Sequence, residues 1–376
     1  MIGGFVVFAA GLALGGAAPT MSVLLAARFV QGLGAGVMNV AIMVLVGRVY
    51  DERERARIMT WFSGCWMLPA FAGPAVAAWV AQTFSWHWVF WGLLPLVFVA
   101  GVLVFVPLRA VRMEGQPSEA GGKRHLGLAA GVAVGVALIQ LAGQNLQLLS
   151  LAQAGVGLVA LWLCLPPLMP RGFSWIGSGV SATVSTRTLT AGAFFGAEAF
   201  IPLMLVETRQ LGLFEAGTTL TIGSLGWMLG AWLQSRPWLR LRRDTLITLG
   251  AGCIAVGLAS VALGAWFAGV WLVVLALGWT LAGLGMGLSV ASGSLVVMQV
   301  SAGDELGRNT SALQVGEALG TSLFAGLAGT WFAYTHQDFP APVSFGGLLT
   351  VMVLAGVAGT IMARRIGPVR NHSLSQ

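Results

Sequence analysis

The segment Arg28-Phe-Val-Gln31-Gly32-Leu-Gly34-Ala-Gly36 lies inside an apolar stretch from Met21 to Val46, in which Arg28 is the only charged residue. A stretch of this length can cross a membrane as one helix. Positions 28, 31, 35 and 39 fall within a narrow arc of such a helix, so Arg28, Gln31 and Asn39 form one polar stripe. Because a charge at membrane depth is costly unless it faces a polar interior, the stripe predicts a helix that lines a cavity. The alternative is an arginine whose long side chain reaches the lipid headgroups.

The composition extends this prediction to the whole chain. Of its 376 residues, 57% are hydrophobic, 9% are charged and 53 are glycine. With apolar runs of about 20 residues repeated along its length, the chain is predicted to be an all-α, polytopic membrane protein with about twelve transmembrane helices. The predicted spans lie near residues 2–17, 22–46, 58–82, 88–107, 126–143, 148–168, 185–206, 216–234, 244–264, 270–293, 309–333 and 345–363.

The basic residues predict the orientation of these spans. Lys and Arg accumulate in cytoplasmic loops. A cytoplasmic N-terminus places 17 of the 20 Lys and Arg residues in cytoplasmic segments, leaves Arg209 outside, and puts Arg28 and Arg187 within spans. We therefore expect a multi-pass protein of the cell membrane with both termini in the cytoplasm. The net charge of +7 then reflects topology, and nucleic acid is not an expected partner because no solvated basic module exists.

Residue types that would support other functions are scattered. Cys65, Cys164 and Cys253 all lie within apolar spans without paired spacing, which indicates neither a disulfide framework nor a metal site. No Gly-rich phosphate loop precedes a lysine, so a nucleotide-driven pump is not expected. We expect no enzyme activity and no cofactor. Any energy for transport would have to come from elsewhere, such as a proton gradient.

An internal repeat indicates what kind of membrane protein this is. Phe71-Ala-Gly73-Pro74-Ala recurs as Phe324-Ala-Gly326-Leu327-Ala, and Arg55 recurs as Arg308, both at an offset of 253 residues. In the spans before these, Gly32-Leu-Gly34-Ala-Gly36 likewise recurs as Gly283-Leu-Gly285-Met-Gly287, at nearly the same offset. Parallel repeats with a binding site between the halves are typical of one large class of secondary transporters.

These residues resemble the major facilitator superfamily, and within it the drug:proton antiporters with fourteen helices. The segment from Arg28 to Gly34 is similar to the fourth-helix signature, whose arginine is implicated in proton coupling. Gly64, Pro69, Gly73 and Pro74 resemble the fifth-helix antiporter motif, and Ser85-Trp86-His87-Trp88-Val-Phe with Pro95 resembles the start of the sixth helix. If the motif acts as in the family, Pro74 bends the helix while Gly64 and Gly73 admit a neighbouring backbone.

The resemblance also implies a division of the chain. Residues 1–108 would form an incomplete N-terminal bundle equivalent to family helices 3 to 6. Residues 109–184 would form a basic linker with two extra transmembrane helices, and residues 185–376 a C-terminal bundle of six helices. The first two family helices have no counterpart, for which we expect a start assigned too late; the alternatives are a fragment or a reduced protein. Ala77-Ala78 stand where the antiporter motif has glycine.

Two acidic residues in the second half are candidates for a transport pathway. Glu317 shares a helix face with Thr310, Gln314 and Thr321, and an acid on such a stripe can cycle between charged and neutral forms. Glu198 follows Phe194 and Phe195 and could instead anchor a cationic or amphipathic substrate beside aromatic rings. The alternative for each is a structural acid that is hydrogen-bonded to a neighbouring helix. Gln140, Gln144 and Gln147 are expected to hydrogen-bond between helices.

The function predicted from these features is proton-coupled export of small, largely hydrophobic compounds by alternating access. Small molecules, protons and the lipid bilayer are the expected partners, and a monomer is the expected state. The pathway would comprise Arg28, Gln31, Asn39, Glu198, Gln314 and Glu317. Two alternatives stay open, namely a truncated membrane protein without transport activity and a symporter of the same fold.

Overall fold

The chain is almost entirely helical wherever its structure is described. A computed structural model describes residues 2–108, 123–144, 148–236, 238–302 and 305–369, and these residues contain no strand. The α-helices are α1 (Ile2–Gly16), α2 (Met21–Val49), α3 (Glu52–Thr83), α4 (His87–Trp91), α5 (Leu93–Leu108), α6 (Lys123–Gln144), α7 (Leu148–Cys164), α8 (Val180–Glu198), α9 (Ile201–Arg209), α10 (Leu213–Gln234), α11 (Arg243–Trp266), α12 (Leu272–Val300), α13 (Leu306–Thr335) and α14 (Gly347–Ala363). A short 3-10 helix, Pro166–Leu168, follows α7, and a π-helical turn, Pro342–Gly346, precedes α14.

Each of the twelve predicted spans coincides with one helix or one interrupted helix, which confirms the all-α prediction. The span near 88–107 is interrupted at Gly92, between α4 and α5. The span near 185–206 is interrupted after Glu198, where Pro202 lies in the first turn of α9. Proline fits the first turn because its missing N–H has no partner there in any helix.

Seven of the described helical segments are long and apolar enough to cross a membrane by length and composition alone. The helices α3, α10 and α13 do not belong to these seven. They are long enough, but α13 contains Arg308, Asn309, Gln314 and Glu317, which lower its hydropathy. The polar side chains of α13 therefore account for its absence from the seven apolar segments.

The internal repeat is visible in the lengths of the helices. Both α2 and α12 are 29 residues long and their starts, Met21 and Leu272, lie 251 positions apart. The helices that follow them, α3 and α13, have 32 and 30 residues. The pattern of small residues thus recurs on elements of matching length and order, as the repeat predicts.

The structure divides into two compact units, residues 1–49 with 68–118 and residues 50–67 with 119–376. In the first unit, α1 packs against α2, α4 and α5. Gly34 of α2 lies against the backbone of Phe8 and the carbonyl of Gly4, and Gly11 of α1 lies against the backbone of Gln31. Glycines on both helices therefore let the two backbones touch.

The motif around His87 connects α4 to the end of α1. Trp91 Nε1 donates a hydrogen bond to the carbonyl oxygen of Gly16 over 2.8 Å. His87 Nε2 lies 3.3 Å from the carbonyl oxygen of Ala18. These two bonds satisfy carbonyls at the C-terminal end of α1, which have no partner within their own helix.

In the second unit, α12 lies between α10 and α11. Gly283 and Gly287 of α12 meet the backbone of α10 at Gly223 and Trp227, whereas Gly285 meets the backbone of α11 at Gly250. Alternate glycines of one run thus allow close backbone contact with two different neighbouring helices. The largest fully buried side chain of this unit, Trp279, also belongs to α12.

The rest of the second unit is organised around α8 and α13. Helix α8 packs against α13 and α14, and α6 pairs with α7 while also contacting α13. Gln140 of α6 donates a hydrogen bond through Nε2 to the carbonyl of Ser322 over 2.8 Å, which confirms the predicted bond between helices for this residue. The side chains of Gln144 and Gln147 lie outside the described residues.

Candidate functional site

Glu317 of α13 forms an ion pair with Arg187 of α8. Arg187 Nε donates a hydrogen bond to Glu317 Oε2 over 2.9 Å. The arginine side chain is 5% exposed and the glutamate side chain is 23% exposed. A second donor, Arg187 Nη2, lies 3.4 Å from Ser294 Oγ on α12. Three helices of the second unit therefore meet at one largely buried, charged cluster.

Small residues bring α8 and α13 close enough for this ion pair. Gly320 of α13 lies against the backbone carbonyl of Thr188, and Gly316 lies against the Thr188 hydroxyl. From the other helix, Gly192 lies against the ring of Phe324 and the carbonyl of Gly320. A larger side chain at these glycines would need space that the facing helix already fills. The close approach keeps the guanidinium and the carboxylate within hydrogen-bonding distance.

The burial of this pair determines its energetics. Removing a charge from water costs several kcal/mol, and the attraction between two buried charges offsets this cost only when their geometry is good. If either partner becomes neutral, the other is left as an uncompensated charge among apolar helices. Each member of the pair therefore depends on the charge of the other.

The rest of the predicted stripe on α13 flanks Glu317 at helical spacing. Thr310 is buried, whereas Gln314 and Thr321 are half-buried. Since α13 is continuous from Leu306 to Thr335, residues at these intervals lie on one face of it.

One face of α8 runs from the ion pair to Glu198. Successive residues of this face are four, seven and four positions apart, and each such interval returns to nearly the same side of a helix. In order, they are Thr183, Arg187, Phe194 and Glu198. Arg187 and Glu198 are eleven residues apart, or about 16 Å along the helix axis. Glu317 of α13, which contacts α8 at Arg187, and Glu198 therefore lie at different levels along α8.

Phe194 and Phe195, which precede Glu198 on α8, belong to an aromatic cluster. Phe194 stacks on Trp279 with ring centroids 4.4 Å apart, and Phe195 contacts both Phe194 and Trp227 at 5.4 and 6.0 Å. Glu198 is half-buried one helical turn after Phe194. Among the described residues, none forms a hydrogen bond or an ion pair with its carboxylate. The two acids thus differ in setting, since Glu317 has a cationic partner and Glu198 has none.

The first unit contains the other part of the predicted pathway. Arg28 is exposed, its Nη1 donates a hydrogen bond to Gln31 Oε1 over 3.1 Å, and its guanidinium lies 4.7 Å above the ring of Phe90. Asn39, further along the same helix, is half-buried. The structure therefore brings Arg28 and Gln31 together, and it adds an aromatic partner on α4 that the spacing of polar residues on α2 could not indicate.

The antiporter motif lies on α3, which stays α-helical through Pro69 and Pro74. A Cβ atom built at Gly64 or Gly73 meets no heavy atom of the described residues within 4 Å. The close backbone contact expected at these two glycines is therefore not made within the described structure. Pro69 is exposed, and the side chain of Pro74 lies outside the described residues. The role of this motif stays a prediction.

Arg187 and Ser294 are members of the charged cluster that sequence reasoning did not assign to it. The available signal was electrostatic, because a basic and an acidic residue at membrane depth in the same half of a chain are expected to pair. Nothing in the helical spacing of either segment indicates that residue 187 faces residue 317.

Comparison of the sequence with known proteins assigns the chain to a family. The sequence model of the Major Facilitator Superfamily matches residues 1–325. The chain belongs to the major facilitator superfamily. Members of this superfamily are multi-pass membrane transporters of small molecules, so family membership and the apolar helices agree on a membrane protein.

Three curated relatives of this superfamily member are multidrug transporters by name. The Multidrug resistance protein B homolog of Mycobacterium tuberculosis is 24% identical over 359 residues, which cover 90% of this chain and 65% of that protein. The multidrug efflux pump SdrM of Staphylococcus aureus is 22% identical over 346 residues, covering 90% and 76%. The multidrug transporter MdtP of Bacillus subtilis is 29% identical over 114 residues, covering 30% and 21%. The chain thus spans less than two thirds of the length of the first and third of these proteins.

Solved structures of the superfamily share the fold. A bacterial homologue of the iron transporter ferroportin, in an outward-facing state, matches with a TM-score of 0.63 and 14% identity over 96% of this chain and 80% of that one. The proton:xylose symporter XylE matches with a TM-score of 0.62 and 12% identity over 98% and 79%. The helical architecture predicted from the sequence is therefore the major facilitator fold.

Proposed function

We propose that this protein is a proton-coupled secondary transporter that exports small, largely hydrophobic compounds by alternating access. The observation that carries the proposal is the contrast between two acids of the second unit. Glu317 is paired with a buried arginine, whereas Glu198 has no described partner and follows an aromatic cluster. One acid is suited to proton exchange, and the other is suited to hold a substrate.

Glu317 is proposed as the proton carrier because its charge state changes the contact between two helices. As a carboxylate it holds Arg187 of α8. When it is protonated, the charge attraction disappears and the carboxyl group can separate from the guanidinium. Proton binding would thus loosen the contact between α8 and α13, which couples a proton to a movement of helices. The proton gradient would supply the energy, without a cofactor.

Glu198 is proposed as the anchor for substrates with a positive charge. An unpaired carboxylate attracts a cation, and the faces of aromatic rings such as Phe195 and Trp227 add a further attraction to it. The apolar surroundings would accommodate the hydrophobic part of the same molecule. The name of one curated relative, a multidrug efflux pump, supports export of drugs.

The experiment that tests this proposal uses the whole protein in proteoliposomes with an imposed pH gradient. One cationic and one neutral hydrophobic compound are compared. Antiport predicts accumulation of the compound in the more acidic compartment, since protons leave that compartment as substrate enters it. Accumulation in the more alkaline compartment would instead indicate symport, and no accumulation of either compound would favour an inactive protein.

Two substitutions separate the roles of the acids. Glu317→Gln keeps the side-chain shape but cannot titrate, so pH-driven accumulation should be lost while exchange of substrate down its own gradient persists. Glu198→Gln should weaken transport of the cationic compound more than that of the neutral one, because the amide keeps hydrogen bonding but not the charge attraction. Glu207→Gln is the matched control, since Glu207 on α9 pairs with His336 outside this cluster. Unchanged pH-driven transport in Glu317→Gln would remove it from the mechanism.

A further inference from the structure

The guanidinium of Arg187 has more donors than the ion pair uses. Its Nε donates to Glu317 and its Nη2 to Ser294, but no described residue accepts a hydrogen bond from Nη1. The side chain is 5% exposed, so bulk water does not satisfy this donor. An N–H group that is buried without an acceptor is destabilising, because it has lost its hydrogen bonds to water.

A small cavity is lined in part by Arg187. Its volume is about 10 Å³, close to that occupied by one water molecule. Its lining is Thr183, Thr186, Arg187, Thr190, Ile247, Ser289, Gly293 and Leu313. Four of these side chains are hydroxyls, and they come from two helices, α8 and α12. Hydroxyls from two helices can therefore supply the polar partners that a water molecule in this cavity needs.

The directions of the hydroxyl groups determine which ligand fits. The hydroxyls of Thr183, Thr190 and Ser289 donate to backbone carbonyls of their own helices, so their free lone pairs can accept. The hydroxyl of Thr186 is buried without a described partner. A cation would be repelled by Arg187, and an anion would face mostly oxygen lone pairs. Water fits both kinds of neighbour, because it can accept from the guanidinium and donate to two hydroxyl oxygens.

We propose that Arg187 is the positioning residue that holds the Glu317 carboxylate, and that one ordered water molecule in this cavity accepts the hydrogen bond from Arg187 Nη1. The water joins the guanidinium to the hydroxyls of α8 and α12. With Nε, Nη1 and Nη2 all bonded, the arginine is fixed in the orientation that reaches Glu317. Loss of the water site lets the guanidinium tilt and weakens its hold on the carboxylate.

The positioning role of Arg187 determines which side of the helix contact is released by a proton, and this consequence rests on the proposed function. When Glu317 takes up a proton, the guanidinium keeps its bonds to the water and to Ser294 and stays on the side of α8 and α12. The carboxyl group of α13 is then released alone. The water site and the positioning role themselves do not depend on transport.

The test measures the state of Glu317 directly. A hydrophobic carbodiimide reacts with protonated carboxyl groups inside the membrane, and mass spectrometry reports the labelling rate of each acid in the whole protein. Thr186→Val removes a hydroxyl from the cavity at nearly constant volume, and Thr186→Ser retains it. Thr248→Val is the matched control on α11, since its hydroxyl also donates to a carbonyl of its own helix, that of Asp244, and does not line the cavity.

We expect severalfold faster labelling of Glu317 in Arg187→Lys and Thr186→Val, and labelling close to wild type in Thr186→Ser and Thr248→Val. Labelling of Glu198 should be unchanged in all four variants, which excludes a general loosening of the fold. Equal labelling of Glu317 in Thr186→Val and wild type would overturn the water site, and equal labelling in Arg187→Lys would overturn the positioning role. A protein that labels as expected but does not transport would contradict the proposed function and leave this inference intact.

Discussion

At the scale of single residues, the two arginines that lie within predicted spans have different partners for their charge. Arg28 is exposed and uses a neighbouring amide and the face of Phe90. Arg187 is buried and uses a carboxylate from another helix. A buried charge must be paired, whereas an exposed one is partly solvated, so the energetic cost of losing a partner is much larger at Arg187.

The ion pair leads to a prediction about stability. Arg187→Gln and Glu317→Gln should each lower the free energy of unfolding by about 3 to 5 kcal/mol, because each leaves a buried charge without its partner. The double variant should lose clearly less than the sum of the two. Unfolding of purified protein in detergent, compared across the four proteins of the double-mutant cycle, measures this coupling. Additive losses would show that the two side chains do not interact.

Arg28 is predicted to matter for transport and not for folding. Arg28→Ala should abolish pH-driven efflux from vesicles without reducing the amount of protein in the membrane, because removal of a charge makes insertion easier. Arg28→Lys should also be impaired, since a compact ammonium does not reproduce the planar guanidinium over the Phe90 ring. Efflux at the wild-type rate in Arg28→Ala would exclude the proposed role.

At the scale of elements, similar glycine runs are used differently in the two repeats. On α12, Gly283, Gly285 and Gly287 all touch neighbouring backbones. On α2, Gly34 touches α1, whereas a Cβ built at Gly32 or Gly36 meets no heavy atom of the described residues within 4 Å. Small residues permit close helix packing. Which of them is used depends on the neighbours that surround the helix.

This difference can be tested within one motif. Gly34→Ala should destabilise the protein by about 1 to 3 kcal/mol, because the new methyl group would overlap the backbone of Phe8 and force α1 and α2 apart. Gly36→Ala, two residues away, should be neutral or stabilising by up to about 1 kcal/mol, since alanine is the better helix former. Thermal unfolding of the two variants side by side makes the comparison. Equal effects at both positions would contradict the observed packing of α1 on α2.

At the scale of the whole molecule, the distribution of charge predicts that both termini are cytoplasmic. In a protein without its three native cysteines, Ser174→Cys should react with a membrane-impermeant thiol reagent only from the cytoplasmic side. Gln337→Cys should react only from outside. Both positions are exposed, so accessibility depends on the side of the membrane alone. The opposite pattern in intact cells and inverted vesicles would reverse the orientation.

The helical class, the positions of the twelve predicted spans, the repeat and the family can all be predicted from the order of the residues. These are properties of local hydropathy and of residue order, so they can be read without knowing which helices are neighbours. The pairing of Arg187 with Glu317 and the hydrogen bond from Gln140 to the carbonyl of Ser322 are visible only in the tertiary structure. The same holds for the glycines: Gly34 lies against the backbone of α1, whereas a Cβ atom built at Gly64 or Gly73 meets no heavy atom of the described residues within 4 Å. Helical periodicity shows which residues share a face, but the partner of that face depends on how distant helices pack, and many arrangements would bury a similar apolar area.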